Sequence, residues 1–470
     1  MSIKPRLSKG LRDLLPDTML ARQSLIDTVR NVYEAYGFAP LDTPAIEYLD
    51  VLSGSAGQEA QQSIFRVSNP EEEELGLRFD LTVPLSRVVS QYPEVSLPFK
   101  RYQVAQVWRA DKPHPGRYRQ FTQFDLDAVG APCGTADTEI IAAMCDSLSA
   151  IDVGQYQVRF SSREVLNLLL QHTSISSERA EDVFRVLDKL EKIGIEKVKL
   201  ELTHGYRDES GDTIPGVGLG NDQVAAIEQF LSITGADRGD VLRQLRSLFR
   251  NVENSAEQLD VIESISSDLD ALGYGSDRVA LDVSIARGLA YYTGPVFEAV
   301  LLDAPQFGSV FGGGRYDDLV ARFGGQPIPA TGASLGVDRI LAAMEHLGKV
   351  RSAKTPADVL VTVMDSALRQ DCLQLAFALR RAGIRTEIHV GSGRLGKQLK
   401  RADKLGIPYA ILMGSNEAER GVVTLKQMEV AHQAGAAISQ HEDWKAARFG
   451  QREVARAEIA QTLASLLGRD

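Results

Sequence analysis

Apolar residues recur at helical spacing between residues 17 and 36, through Leu25, Val29, Val32, Tyr33 and Tyr36. The stripe ends at Gly37, a residue suited to closing a helix in the left-handed conformation. An extended run holding Pro40 and Pro44 follows (PLDTPAIEYL), so a long helix is predicted to feed a strand. Three strand-like runs come next: LGLRFDLTVPL at 75–85, KRYQVAQVWRAD at 100–111 and RQFTQFDLDAVG at 119–130. The last two flank a short segment with Pro113, Pro115 and Gly116, and an antiparallel hairpin is their natural pairing. Arg109, near the end of one strand, and Arg117, just past the turn, are then aimed into one space.

From about 163 to 275 the pattern becomes helical (EDVFRVLDKLEKIG, DQVAAIEQFLSITG, VLRQLRSLFRNV), which reads as an inserted helical domain. Strand-like sequence returns at 278–302 (RVALDVSIARGLAYYTGPVFEAVLL), followed by the glycine cluster FGGGRYDDL. GASLGVDRILAAMEHLG then looks like a strand running into a helix. Beyond a polar stretch at 348–356, strands (VLVTVM, RTEIHV, YAILMG, GVVTLKQM) alternate with helices (LRQDCLQLAFALRRAG, RLGKQLKRADKLG), the signature of an α/β domain.

Composition narrows the picture. A chain of 470 residues, 44% of them hydrophobic, exceeds what one core supports, so two or three domains are expected. Cys133, Cys145 and Cys372 are odd in number and lack C-x-x-C spacing, which argues against a disulfide framework and a structural zinc site. Cys145 falls on the apolar side of a helical pattern with Ile140, Ile141, Met144 and Leu148, and reads as core. No run approaches the ~20 apolar residues of a membrane span, and the N-terminus shows no apolar signal region. A soluble, cytoplasmic protein without a membrane partner is expected. The net charge of -11 opposes a polyanion on average, yet residues 366–404 hold nine Lys or Arg against three Asp or Glu, a basic island.

Several catalytic devices are missing: there is no G-x-x-x-x-G-K-[ST] loop, no H-E-x-x-H and no G-x-S-x-G elbow. The glycines at 312–314 lack the full dinucleotide-binding spacing and read as a tight turn with close backbone packing. Arginines stand out instead. A single arginine is usually a solvated or salt-bridged surface group, but Arg109, Arg117, Arg119, Arg287 and Arg339 all sit beside turns and strand ends. Phosphoryl and nucleotidyl transfer need cations that position phosphates and stabilise developing charge, and guanidinium forks match that geometry.

A series of segments resembles the histidyl-tRNA synthetase family, in the order that family shows. They are KGLRDLLP (9–16), the helix and strand ending at Thr43 and Pro44, LRFDLTVP (77–84), VWRADKPHPGRYRQFTQFDLD (107–127), ARGLAYYTGPVFE (286–298), GGGRYDDLV (312–320) and GASLGVDRI (332–340). LGKQLKRADKLGIPYAILMG (395–414) resembles that family's anticodon-binding domain, and the resemblance spans roughly residues 8–430. It implies an α+β fold. A class II synthetase core with an antiparallel sheet (1–162 and 276–347) carries a helical insertion (163–275) and is followed by a C-terminal α/β anticodon-binding domain (356–470).

The resemblance further implies that Arg109 holds the α-phosphate and the histidine carboxylate, while Arg117 and Arg339 grip the outer phosphates and bent ATP. Arg287 would neutralise the α-phosphate as the carboxylate attacks, so Arg109 and Arg287 are the expected catalytic pair. Asp80, Leu81, Thr82, Gln123 and Asp127 match positions that bind the α-amino group and its surroundings, and Tyr291 and Tyr292 those that form the imidazole pocket. Adjacent tyrosines on a strand would point to opposite faces, with Tyr292 expected nearer the ligand. ATP with Mg2+, L-histidine and tRNA(His) are the implied cofactors and substrates, the metal arriving with the nucleotide. A homodimer paired through the first motif is implied as well. Arg394, Lys397, Lys400 and Arg401 of the basic island would meet tRNA phosphates, though such a run is often only a solvated face.

Two positions depart from the family pattern: Ala290 stands where many members have Asp, and Asp338 lies in VDRI where LERI is commoner. Residues 431–470 match nothing nameable. A regulatory, non-catalytic relative is one alternative, but such chains typically lack the C-terminal module and several motif arginines, which this chain retains; an RNA-binding sensor derived from the same fold, usually attached to other domains, is a weaker one.

Overall fold

The computed structural model describes residues 3–54, 63–113, 116–208, 211–285, 291–324, 326–350, 354–391, 393–428 and 450–469. The chain divides into two compact units, Met1–Arg12 with Ser24–Lys349, and Asp13–Gln23 with Val350–Asp470.

The first unit is built on an eight-stranded sheet. Its spatial order is Ala39–Pro40, Phe99–Trp108, Gln120–Val129, Ala330–Gly336, Ser309–Arg315, Pro295–Leu301, Tyr156–Ser162 and Val279–Leu281. Only the outermost pair at each edge is parallel. The predicted hairpin forms with Phe99 opposite Val129 and Trp108 opposite Gln120. The N-terminal helix, Pro16–Ala35, stops before Gly37, whose φ of +80 suits a residue without a side chain. Its buried Tyr33 meets the Phe124 ring edge-on at 4.7 Å, locking helix to hairpin.

Residues 75–85 only partly follow their strand-like pattern. Leu75–Leu77 pairs with Ile46–Tyr48 and Arg66–Val67, but the chain turns helical from Thr82 to Gln91. Pro84 is tolerated there because first-turn N–H groups have no helical partner. Asp80 Oδ1 accepts from the Val83 N–H at 3.2 Å, which supports the same turn.

The helices between Arg163 and Ala271 belong to this unit and share its core. One buried cluster holds Val183, Phe230, Leu245 and Ile265 together with Phe160, Phe297 and Ala299 of the sheet. Cys145 is fully buried in the helix Thr135–Ala150, as its pattern predicts. The glycine cluster differs from expectation: Gly312, Gly313 and Gly314 lie inside the strand Ser309–Arg315, not in a turn. Close backbone packing is the part of that expectation that holds. A Cβ on Gly313 would overlap the Gly332 carbonyl, and one on Gly314 would come 2.8 Å from Pro295 O.

The second unit carries a five-stranded sheet ordered Thr386–Ile388, Val359–Val361, Tyr409–Leu412, Val422–Gln427 and Gln451–Ala455. The first three strands are parallel and the last two antiparallel. Val359, Leu375, Ile411, Val423 and Leu463 form its core. The strand Gln451–Ala455 and the helix Ile459–Leu466 lie in the C-terminal stretch that the sequence left unassigned. Among the described residues no helix is long and apolar enough to cross a membrane.

Candidate active site

Strand alternation puts Gln123, Asp125 and Asp127 on one face of the sheet. In register, Asp127 faces Arg101 on one side and Gly332 on the other, while Asp125 faces Gln103 and Ser334. Over this face lies a cavity of about 160 Å³ whose walls include Asp80, Thr82 and Arg109, Gln123, Asp125 and Asp127 of the hairpin, and Tyr291, Tyr292 and Tyr316. Its floor is Gly312, Gly313 and Gly332. Side chains are excluded there, since a Cβ on Gly332 would overlap the Asp127 carboxylate.

The chamber is lined by buried acids. Asp80, Asp125 and Asp127 are each 2% exposed. Arg101, wholly buried, places Nη2 at 2.9 Å from Asp127 Oδ2 and donates to Leu81 O at 3.1 Å. Tyr316 donates to Asp127 Oδ1. Burial pushes the Asp80 carboxyl up to about 6, against the pull of the Val83 N–H and of Arg109 and Arg101. Burial likewise pushes Asp125 up to about 7 despite Arg101, and raises Asp127. Tyr291 and Tyr292 are held as neutral phenols, raised chiefly by burial and then by neighbouring groups. Their rings lie 5.0 Å apart, and both line the cavity. The expectation of opposite faces fails because this pair precedes the strand Pro295–Leu301 and is not in extended sheet geometry.

A second chamber of about 240 Å³ adjoins the first, and both are lined by Arg109, Gln123, Gly312 and Ser334. It adds Arg117, Arg339, Tyr118 and Phe121. Arg109 donates through Nε to Phe79 O at 3.0 Å and lies 5.2 Å from the Phe121 ring centre. Arg117 pairs with Asp111 at 2.7 Å, and Arg339 donates to Ser309 O. A neutral-to-acidic slot and a guanidinium-lined chamber thus meet at one arginine.

A family model described as histidyl-tRNA synthetase matches residues 10–340, and one described as an anticodon binding domain matches residues 358–446. A histidine–tRNA ligase from Paracoccus denitrificans is 41% identical, the alignment covering 99% of this chain and 98% of the relative. The chain belongs to the histidyl-tRNA synthetase family. A crystal structure of histidyl-tRNA synthetase from Nostoc sp. agrees with a TM-score of 0.83 at 31% identity, over 99% of this chain and all of that one. An ATP phosphoribosyltransferase regulatory subunit/histidyl-tRNA synthetase from Bacillus halodurans shares the fold, with a TM-score of 0.71 at 22% identity over 85% of this chain and 97% of that one.

For a histidyl-tRNA synthetase family member, the residues singled out in the sequence are distributed coherently. Asp80, Thr82, Gln123, Asp127, Tyr291 and Tyr292 gather in one chamber and Arg117 and Arg339 in the other, with Arg109 in both. Leu81 lines neither chamber; it is fully buried and supplies its carbonyl to Arg101. Arg287, with Ala290, lies outside the described residues. Asp338 is engaged through both carboxylate oxygens, accepting from the Thr122 N–H at 2.6 Å and pairing with Arg12 Nη2 at 2.6 Å. Arg12 in turn lies 3.8 Å over the Tyr118 ring. Arg394, Lys397, Lys400 and Arg401 are exposed at the start of, or on, the helix Leu395–Leu405 of the second unit, with Arg401 paired to Glu387 at 3.0 Å.

Arg12, Arg101, Asp125 and Tyr316 were not singled out. The same period-two alternation that links Gln123 to Asp127 could have found Asp125. Arg101 becomes visible only through its cross-strand register.

Proposed function

We infer that the chain is a histidine–tRNA ligase that activates histidine with ATP and passes it to tRNA(His). The meeting of the two chambers at Arg109 carries this reading, because adenylate formation requires an amino-acid carboxylate and an α-phosphate at one cation. The acidic chamber, shaped by Asp80, Thr82, Gln123 and Asp127, takes the α-ammonium end. Tyr291 and Tyr292 offer neutral phenols to an imidazole, and a site built on hydrogen bonds rejects amino acids that cannot return them. Arg117 and Arg339 hold the phosphates of ATP.

A carboxylate oxygen of histidine attacks the α-phosphorus, the bond to the bridging oxygen breaks, and pyrophosphate leaves. No protein base is needed, since the nucleophile is already ionised. Arg109 holds both reactants, and Arg287 is assigned to the charge that grows on the α-phosphate. The terminal ribose 3′-hydroxyl of tRNA then takes the histidyl group and AMP departs. Among the described residues no cluster of His, Cys, Asp and Glu could hold a metal ion. Mg2+ would arrive with ATP, where it would neutralise the charge of the phosphates.

Residues 1–162 and 276–347 are assigned to catalysis, 163–275 to an insertion reaching the acceptor arm, and 356–470 to the anticodon. A homodimer paired through the first motif completes the proposal. Amino-acid-dependent ATP–pyrophosphate exchange, run with each standard amino acid, tests the function. Exchange is expected with histidine alone; folded protein that exchanges with none would move the assignment to the regulatory relatives.

A further inference from the structure

Arg117 and Arg339 reach the larger chamber from different parts of the chain: Arg117 follows the hairpin turn, and Arg339 lies in the first turn of the helix Val337–His346. Asp338, Tyr118 and Thr122 line the same chamber. Asp338 is buried and uses both carboxylate oxygens: Oδ2 accepts from the Thr122 N–H at 2.6 Å, and Oδ1 accepts from Arg12 Nη2 at 2.6 Å. Arg12 extends the chain of contacts. Its Nη1 donates to the Tyr118 hydroxyl at 3.1 Å, and its guanidinium carbon lies 3.8 Å over that ring. The backbone two residues earlier is fastened at the same place, since the Arg119 N–H donates to Gly10 O at 2.9 Å. A Cβ on Gly10 would come 2.8 Å from Arg119 Cγ, and its φ of +81 suits glycine alone.

We propose that Arg12 and Asp338 are positioning residues for the nucleotide, and that the segment Gly10–Arg12 is a clasp fixing the hairpin strand beyond Arg117 against the helix that carries Arg339. This rests on the reading of that chamber as the ATP site. A bare carboxylate beside a polyphosphate would repel it; with a guanidinium on one oxygen and an N–H on the other, the charge of Asp338 is taken up. The Arg117 side chain is 54% exposed, so gripping a phosphate costs ordering entropy. Holding its neighbour Tyr118 in place reduces that cost.

The clasp is one-sided. Tyr118, Thr122 and Asp338 line the arginine-rich chamber, and none of the three lines the acidic one. Its loss should therefore act on ATP and spare histidine.

Wild-type histidine-dependent ATP–pyrophosphate exchange is the control, and its absence would defeat the histidine reading and the clasp with it. With exchange present, Asp338→Asn should raise KM for ATP about tenfold and leave KM for histidine within about twofold. An amide has one acceptor oxygen and cannot serve the Thr122 N–H and Arg12 together. Arg12→Ala removes the more exposed partner, 28% against 8%, and gives the same reading where the first variant folds poorly. The double variant should stay within about twofold of the more impaired single one, because each change removes the same contact. Equilibrium binding of ATP and AMP separates the outer phosphates from the rest of the nucleotide. Each single variant should weaken ATP about tenfold and AMP less than about twofold. An unchanged KM for ATP in Arg12→Ala, an equal rise in both KM values, or equal weakening of ATP and AMP overturns the clasp. So does a double variant in which the two single effects multiply.

Discussion

Burying three aspartates against one fully buried guanidinium has a consequence for the empty protein as well as for its ligand. Burial pushes Asp80 up to about 6 and Asp125 up to about 7 in the fold, whereas an unfolded aspartyl group lies near 4. Between those values the folded chain binds more protons than the unfolded one, so these two groups make stability fall as pH rises, and the loss is complete above the folded values. The groups acting on Asp125 are Arg101, Asp127, Ser334 and Asp80: the two carboxylates oppose its ionisation, and the guanidinium and the Ser334 hydroxyl favour it. Asp125→Asn cannot ionise and should escape the penalty. Its unliganded Tm is expected about 2–5 °C above wild type near pH 8, with little difference near pH 4.5. A shift of equal size at both pH values would mean that Asp125 does not titrate between them. This chamber-lining carboxylate is thus expected to lower the stability of the unliganded fold.

Among the elements, the strand Ala330–Gly336 shows how small residues make room for chemistry. Gly332 sits opposite Asp127, and any Cβ there meets the carboxylate, while a Cβ on Gly336 would find only ordinary contacts at 3.5 and 3.6 Å. Gly332→Ala should therefore cost about 1–3 kcal/mol of stability and raise KM for histidine, with Gly336→Ala costing less stability. Equal denaturation midpoints for the two variants would remove the steric argument. A second element-level device is Arg12, which bridges the Asp338 carboxylate to the Tyr118 ring beside the arginine-lined chamber. Arg12→Ala is expected to raise KM for ATP by about tenfold while KM for histidine moves little, and the reverse pattern would place Arg12 elsewhere in the machinery. Much of this layout was legible in advance. The hairpin followed from two alternating runs around a Pro-Gly loop, and the helix after Gly336 from its 3.6 period. The turn at Phe79–Leu81 and the helix from Thr82 were not legible, because LGLRFDLTVPL alternates like a strand and only the Asp80 cap and tertiary packing decide otherwise. Arg12 and Arg101 stayed hidden for a related reason: their partners are 326 and 26 positions away in sequence, and register or packing alone brings them together.

At the scale of the whole molecule, charge is unevenly shared: the net value is -11, yet Arg394, Lys397, Lys400 and Arg401 are exposed on one short stretch of the second unit. Non-specific attraction of a polyanion to the chain as a whole is unfavourable, so we propose that contact with tRNA would be directed to that stretch. The four cations are not equal, because Arg401 already pairs with Glu387 at 3.0 Å. Lys397 and Lys400 should therefore contribute more. Removing both by alanine substitution is expected to weaken tRNA binding several-fold at about 0.15 M salt and to reduce the slope of log affinity against log salt by about 1.5. Histidine-dependent exchange, which uses no tRNA, should be unchanged, since the exchange chambers are lined by residues of the first unit. Filter binding across a salt series reads both quantities. An unchanged slope would show that these lysines are a solvated face only, and a fall in exchange would show that the second unit supports the first step of the reaction as well as the second.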